Sequence, residues 1–361
     1  MATGHVLVTG FPGFIGRRLV ARLLEKGADA TVAALVEARF ADQARAVAEA
    51  IDPERIEVVP GDIADRRLGL DDREYERLTS AVTSVHHLAA IYDLAVPLEV
   101  AQRVNVDGTG NVLDFCARCN SLERLNYVST AYVAGDRTGV VYEHELVLGQ
   151  GFKNHYESTK FQAEVWVQHE MHRVPTTIYR PAIVVGDSRT GETQKFDGPY
   201  YMLRTIARAV AQGTPIVQFG RSEAAMNCVP VDFIVEAIAT LADDPQAVGQ
   251  TLHLVDPEPV SAARVGELFS QEYAGRSPRY RVPPGLIENV LRVERVRDAF
   301  GGAPHEGIRY LNHPVRFDTR CADELLAAHG LRCPRFEEYV GAIVRFFREH
   351  EEDPALVPAH Q

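Results

Sequence analysis

The stretch Val8 to Val20, VTGFPGFIGRRLV, sets glycines at positions 10, 13 and 16 between an apolar run, HVLVT, and an apolar-periodic one. Glycine inside an element costs about 0.5–1 kcal/mol relative to alanine, so this spacing needs a geometric reason. At a strand-to-helix turn the glycines let the backbone approach a pyrophosphate. The N–H groups and positive dipole end of the following helix then receive the anion. A purely structural tight turn is the bland alternative.

The first half of the chain keeps alternating. HVLVT is followed by a helix over Phe14 to Lys26, TVAALV by a helix through DQARAVAEAI, and then come IEVVPGD, SVHHLAA, a helix through VNVDGTGNVLDFCA, and RLNYVST. Right-handed crossovers between parallel strands put helices on both faces of a sheet, so this order predicts an α/β fold, a doubly wound parallel sheet of the Rossmann kind. Ligands of such sheets bind where the carboxyl ends of the strands open. Gly10, Asp62, Ala89, Ala90, Ser129 and Thr130 all stand there. After Arg180-Pro181 the alternation weakens into GDSRTGETQKFDGPYY, YRVPPG and GGAPHEGIRYLNHP. The expected division is a dinucleotide-binding core over residues 1–185 and, over 186–361, mainly a smaller substrate lobe, with 226–256 returning to the core.

A formal net charge of −12 argues against a general nucleic-acid surface, which needs clustered Lys and Arg, while leaving room for one anionic ligand in one basic pocket. No basic leader precedes VLVTG, and no apolar run reaches membrane-spanning length. Five cysteines, an odd number scattered over 361 residues, suit reduced thiols better than a disulfide framework, so a cytoplasmic protein without a membrane span is expected. Cys116 and Cys119 lie in NVLDFCARCN with a helical apolar face and no second pair at zinc spacing. They read as packing residues, and no metal is expected.

A second motif, YESTK, puts Tyr156 and Lys160 four residues apart, on one helix face, 26 residues after Thr130. A phenol with an ordinary pKa near 10 carries protons poorly at neutral pH, and a neighbouring ammonium favours its phenolate. Tyr156 is then the acid–base group and Lys160 its tuner. Alone, such a pair is common on surfaces. With VSTAYVAG, GDI and HLAA each at a strand end and in this order, chance is a poor account.

With these motifs the chain resembles the extended short-chain dehydrogenase/reductases over nearly its full length. The resemblance implies that Thr130 holds a substrate carbonyl, Tyr156 donates the proton, and Lys160 also binds the nicotinamide ribose. It makes Asp62 and Ile63 adenine-pocket residues and runs Leu88, Ala89 and Ala90 along the cofactor. Gly10, Pro12, Gly13, Phe14, Ile15 and Gly16, then Val128 and Ser129, and Pro181, Ala182, Ile183 and Val184 complete the implied cofactor set. Ser129, Tyr92, Tyr132, His86 and His87 read as structural or lining residues, and Asn105 and Thr109 as residues ordering the helix beneath the site.

Two finer segments, GDIADRRLGL and YRPAIVVGDSRTGE, resemble thioester reductases and fatty acyl-CoA reductases. The implied function is reduction of a fatty acyl thioester, of the corresponding aldehyde, or of both, by a protein acting alone or as a homodimer. Phe196, Tyr200, Tyr201 and Met202 are candidates for an apolar substrate wall or for lobe core. The alternatives are a nucleotide-sugar epimerase or dehydratase, another ketone or alcohol oxidoreductase of the superfamily, and a cofactor-binding protein without turnover. Glu37, at the end of TVAALV, would accept from the ribose hydroxyls of NAD, while Arg39 and Arg17 could pair with the 2′-phosphate of NADP. The resemblance and the two arginines favour NADP(H) over NAD(H).

Overall fold

The computed structural model describes residues 4–92, 96–218, 224–281, 310 and 313–357. Most of the GGAPHEGIRYLNHP segment lies outside them. Seven parallel strands form the main sheet: β1 (His5–Thr9), β2 (Thr31–Val36), β3 (Ile56–Pro60), β4 (Val82–His87), β5 (Arg124–Val128), β7 (Thr176–Pro181) and β11 (Thr251–Leu254). Their spatial order is β11-β7-β5-β4-β1-β2-β3. The strand order reverses between β1 and β4, and the crevice outside their carboxyl ends is where such a sheet receives a ligand. Outside this sheet, β6 (Gly139–Val141) pairs with β13 (Val315–Phe317), and β9 (Val217–Gln218) with β12 (Tyr280–Arg281).

Strand residues alternate between two cores. Val6, Val8, Val32 and Ala34 face helices α1 (Phe14–Lys26), α2 (Ala41–Ile51) and α8 (Val231–Leu241), which contribute Leu19, Ala44 and Ile234 to that side. Leu7, Ala33, Leu35 and Val85 face α3 (Asp72–Ala81), α5 (Gly108–Arg118) and α6 (His155–Glu170). A short helix, α4 (Leu98–Ala101), leads toward α5. All five residues of β5 are buried, as expected for a strand covered on both faces.

The sequence reading has no helix between β3 and β4, yet α3 fills the gap. Its sequence, DREYERLTSA, buries only Tyr75, Leu78 and Thr79, so its apolar stripe is narrow and its charges dominate. The Asp71 carboxylate caps it by accepting from the Glu74 N–H at 2.8 Å.

Part of the chain after β7 packs into a separate apolar cluster. It joins Val185 and Phe196 to α7 (Tyr200–Ala211), α9 (Ala262–Ala274) and the C-terminal helix Phe336–His350. Phe196, Tyr200 and Met202 are buried there, and the Tyr200 hydroxyl accepts the Gly186 N–H at 3.0 Å. These three are core of this cluster and leave no apolar face for a substrate. Residues 226–256 supply β10 (Cys228–Pro230), which pairs with β8 (Ile183–Val185), then α8 and β11.

One fully buried ion pair ties these layers together. Arg180 on β7 donates from Nε to the Glu164 carboxylate of α6 at 2.9 Å, and from Nη1 and Nη2 to the carbonyls of Glu143 and Glu145 at 3.1 and 3.0 Å. Ser129 donates its hydroxyl to the other Glu164 oxygen. Removing one member of such a pair strands a buried charge, at a cost of about 3–5 kcal/mol. Arg180→Leu should therefore lose stability on that scale in urea unfolding, whereas Arg77→Leu, which breaks exposed pairs with Glu57 and Glu74, should lose roughly 1 kcal/mol or less.

Candidate active site

Gly10 follows β1 with a φ of +90°, a conformation that disfavours any side chain. A Cβ there would lie 2.9 Å from the Ala89 nitrogen, one at Gly13 would lie 2.8 Å from the Gly10 carbonyl oxygen, and one at Gly16 would collide with that same oxygen. The three glycines thus pack the turn against its own helix and against the loop after β4. Helix α1 begins at Phe14 with no side-chain cap and no acidic residue in its first turn. An uncapped N-terminus at the sheet's reversal point fits a dinucleotide pyrophosphate, and the absence of acid keeps the dipole end available to it.

The side chains that the sequence names for the reaction stand across the crevice. Thr130 follows β5, accepts the Tyr132 N–H at 3.3 Å and donates to the Pro181 carbonyl at 3.5 Å, with the Tyr156 phenol close enough to feel it. Helix α6 presents Tyr156 in its first turn because Asn154 caps it, accepting from the Glu157 N–H at 2.9 Å. Lys160, one turn on, is buried and donates to the Tyr127 hydroxyl at 3.0 Å and the Val128 carbonyl at 2.9 Å. Desolvation pulls its pKa down to about 7, against the opposing charge of Glu164.

This geometry changes one expectation. The Tyr156 pKa is raised, by burial first, with the Thr130 hydroxyl opposing and Glu157 adding to the rise. The Lys160 ammonium turns to Tyr127 and Val128 instead of to the Tyr156 phenol. Tyr156 therefore keeps its proton at neutral pH, the form that can give one up to a substrate oxygen.

Around Tyr156 lies a wall in which sequence reading names Tyr92 and Tyr132 and misses Glu157 and Tyr310. Tyr92 packs edge-on against Tyr156, ring centroids 5.0 Å apart. Buried Glu157 accepts from the Tyr310 hydroxyl at 2.7 Å and the Lys153 ammonium at 3.2 Å, and Tyr310 stacks edge-on with Tyr132. Burial pushes the Glu157 carboxyl up from its ordinary range. Glu157 and Tyr310 are far apart in sequence, so no local pattern announces the contact.

The other sequence-named residues divide. Asp62 turns its carboxylate inward to cap the Ala64 N–H at 2.8 Å, while Asn111 donates to the Ile63 carbonyl at 2.7 Å, joining this loop to α5. The Ala89 N–H bonds the Thr9 hydroxyl at 3.1 Å, and Leu88 N–H the Thr9 carbonyl at 3.2 Å, so this loop abuts the glycine turn. Ala182 and Ile183, at the junction of β7 and β8, donate to the carbonyls of Leu254 on β11 and of Asn227 just before β10. Glu37 follows β2 and is ion-paired with Arg39 at 2.7 Å, and Arg17 pairs with Glu192 at 2.8 Å. Asn105 orders the site from a π-helical turn, Gln102–Asp107, by accepting the Ile91 N–H at 2.9 Å and donating to Thr159 at 3.1 Å. A separate depression of about 500 Å³, bordered by Glu143, Gln168, Gln250 and Cys321, includes none of Thr130, Tyr156 and Lys160. Among the described residues no cluster of three or more potential metal ligands occurs, and no helix is long and apolar enough to cross a membrane.

A doubly wound sheet, a glycine-lined helix N-terminus and a hydroxyl–phenol–ammonium set at the strand ends define a dinucleotide-binding oxidoreductase of the extended short-chain type. Residues 8–238 match the family described as male sterility protein, an NAD-binding domain family, and the chain belongs to it. It is 28% identical over 271 residues to a component of the linear gramicidin synthase of Brevibacillus parabrevis, a match covering 70% of this chain and 5% of that one. It is also 28% identical over 281 residues to the fatty acyl-CoA reductase wat of Drosophila melanogaster, covering 66% of this chain and 54% of that one. Among solved structures, the terminal R domain from the myxalamid PKS-NRPS biosynthetic pathway superposes with a TM-score of 0.83 at 26% identity, covering 98% of this chain and 93% of that one. The chain thus spans from a small fraction to about half of the curated relatives' length.

The lowered pKa of Lys160 has a thermodynamic signature. Unfolded, the amine titrates at about pH 10.4; folded, at about 7, so between these values the unfolded chain binds more protons and stability rises with pH. Below about pH 7 both states carry the charge and this gain is absent. In Lys160→Met the rise should disappear, which urea unfolding of both proteins at about pH 6 and about pH 9 would measure.

Proposed function

We propose that this chain is an NADP(H)-dependent reductase whose substrate is a fatty acyl thioester, the corresponding aldehyde, or both. The observation that carries the reading is the placement of Thr130 after β5 close to Tyr156 in the first turn of α6, with buried Lys160 one turn on. Two neutral hydroxyls converge at the strand ends, and the Lys160 ammonium is set behind them. The relatives named as a fatty acyl-CoA reductase and an R domain support the substrate class.

In this reading the turn from Gly10 to Gly16, including Pro12, Phe14 and Ile15, holds the pyrophosphate, while Asp62 and Ile63 border the adenine. Leu88 to Ala90, Val128 and Ser129 flank the cofactor, with Pro181 to Val184 on the nicotinamide side. When bound, the nicotinamide supplies the hydride. Thr130 and Tyr156 donate to the carbonyl oxygen and stabilise the negative charge developing there. For an aldehyde, Tyr156 then gives its proton to that oxygen and an alcohol results. For a thioester, the carbon–sulfur bond breaks, the thiolate leaves and takes up a proton, and an aldehyde results. Lys160, with two donors committed to Tyr127 and Val128, keeps one N–H for the ribose. The five free cysteines suit a reducing, cytoplasmic setting.

Tyr156→Phe removes the proton donor with little change in volume, and loss of general acid catalysis costs about 10²–10⁴-fold. Turnover of an aldehyde should fall by that factor while cofactor affinity, measured by fluorescence titration, holds. A panel of short and long acyl thioesters, aldehydes and a nucleotide sugar tests the substrate class. Conversion of the nucleotide sugar alone would replace this reading by an epimerase or dehydratase.

The preference for NADP(H) rests on Arg39, whose exposed pairing with Glu37 is weak enough to exchange for a 2′-phosphate. The Glu37 carboxylate at the end of β2 favours the opposite reading, NAD. The ratio of kcat/KM with NADPH to that with NADH should exceed one and fall about tenfold or more in Arg39→Ala. A native preference for NADH that Glu37→Ala weakens and Arg39→Ala leaves alone would reverse the assignment.

A further inference from the structure

Lys160 needs a reason to stay where it is, because an ammonium on a flexible four-carbon stem is mobile and strongly hydrated. Its seat is the phenol of Tyr127, fully buried on β5, with Nζ 3.0 Å from the hydroxyl and 4.5 Å from the ring centroid. Its ring packs on His87 with centroids 5.6 Å apart, and His87 belongs to a buried chain that runs from Thr109 of α5 to Thr9.

The direction of each proton in this chain follows from counting. The Thr109 hydroxyl donates its one hydrogen to the Asn105 carbonyl at 2.7 Å. It can then only accept, here from His87 Nε2 at 3.1 Å. His87 is therefore the neutral tautomer protonated on Nε2. Its Nδ1 accepts from the Thr9 hydroxyl at 2.7 Å, and Thr9 accepts from the Ala89 N–H at 3.1 Å. Burial, followed by the nearby Lys160 charge, pulls the His87 pKa down to about 3, so the imidazole remains neutral. The Lys160 ammonium has donors only, so the Tyr127 hydroxyl turns a lone pair toward it.

We propose that Tyr127 is the positioning residue for the Lys160 ammonium, with its ring packed on His87 of the buried chain Thr109–His87–Thr9, so that the lysine seat and the loops at Gly10 and Ala89 are set as one unit. The proposal rests on the reading of Lys160 as a cofactor-binding group. The charged and titratable groups facing the ammonium are Glu164 and Tyr156 on its own helix, Tyr127 on β5 and His87 on β4. Glu164 is neutralised by Arg180 of β7. Of these, Tyr127 is the one whose hydroxyl the ammonium touches, so removing that hydroxyl disfavours the charged form most directly.

The test is binding of NADPH and NADH by the full chain, followed by fluorescence across pH, with thermal melting as the fold control. In the native protein affinity should fall as pH rises and Lys160 loses its proton. In Tyr127→Phe that fall should move to lower pH by about one unit, giving about tenfold weaker binding near neutrality and native affinity in acid. Tyr127→Leu should shift it in the same sense. Tyr127→Gln, whose amide oxygen can accept from the ammonium in place of the phenol, should restore the native midpoint, and this pair carries the test if Tyr127→Phe does not fold. An unmoved midpoint in a folded Tyr127→Phe, or in Tyr127→Leu, makes the phenol mere packing and overturns the proposal. Lys160→Met separates the two levels. If it abolishes the pH dependence while Tyr127→Phe leaves the midpoint unmoved, only the present proposal fails. If Lys160→Met itself binds and turns over like the native chain, the reading of Lys160 fails and takes the proposal with it.

Discussion

The ion pair between Arg180 and Glu164 is the constraint on which the site depends. Two charges without solvent are tolerable only with their hydrogen bonds filled, and here Ser129, His253 and the carbonyls of Glu143 and Glu145 fill them. The pair and its partners come from β7 and α6, from β11, and from the segments that follow β5 and β6. The pair therefore sets the depth and rotation of α6 against the carboxyl ends of the strands. Tyr156 and Lys160 lie on that helix two turns and one turn before Glu164, so their placement at Thr130 follows from a contact that neither makes.

A second polar layer lies inside the first. Lys160 rests on Tyr127 and Val128, and Asn105 holds Ile91 against Thr159 from within a π-helical turn. Apolar residues of equal volume would stabilise these positions more readily, since each buried polar group must recover its lost hydration. Such groups concentrate between the glycine turn and α6. The polar interior thus marks the region where the fold gives up stability for a positioned cation and two positioned hydroxyls.

Much of this arrangement is legible in the sequence because it is local. The strands HVLVT and TVAALV and the helix Phe14–Lys26 coincide with the observed elements, since strands covered on both faces read as continuous apolar runs and α1 carries a clear apolar stripe. The spacing of Tyr156 and Lys160 is likewise a property of one helix turn. The helix DREYERLTSA escapes a reading based on apolar periodicity, although its Asp71 cap is visible in retrospect. The pair Glu164–Arg180 and the contact of Glu157 with Tyr310 join elements that only tertiary structure brings together. The orientation of Lys160 toward Tyr127 is hidden for the same reason. Resemblance supplies the residue's role, while its partners depend on which buried acceptors β5 offers. For the aromatics at 196 and 200 the sequence leaves a substrate wall and a core both open, and packing decides for the core.

The central claim, that Thr130 and Tyr156 hold a carbonyl oxygen while hydride reaches its carbon, is tested most directly by isotope transfer. The full chain is incubated with a long-chain aldehyde, and separately with its acyl thioester, together with NADPH carrying deuterium at the transferable position of the nicotinamide ring, and the products are read by mass spectrometry. One deuterium on the former carbonyl carbon for each cofactor oxidised is the predicted result. Cofactor bound but never oxidised, or oxidised without deuterium reaching that carbon from either substrate, would contradict the account.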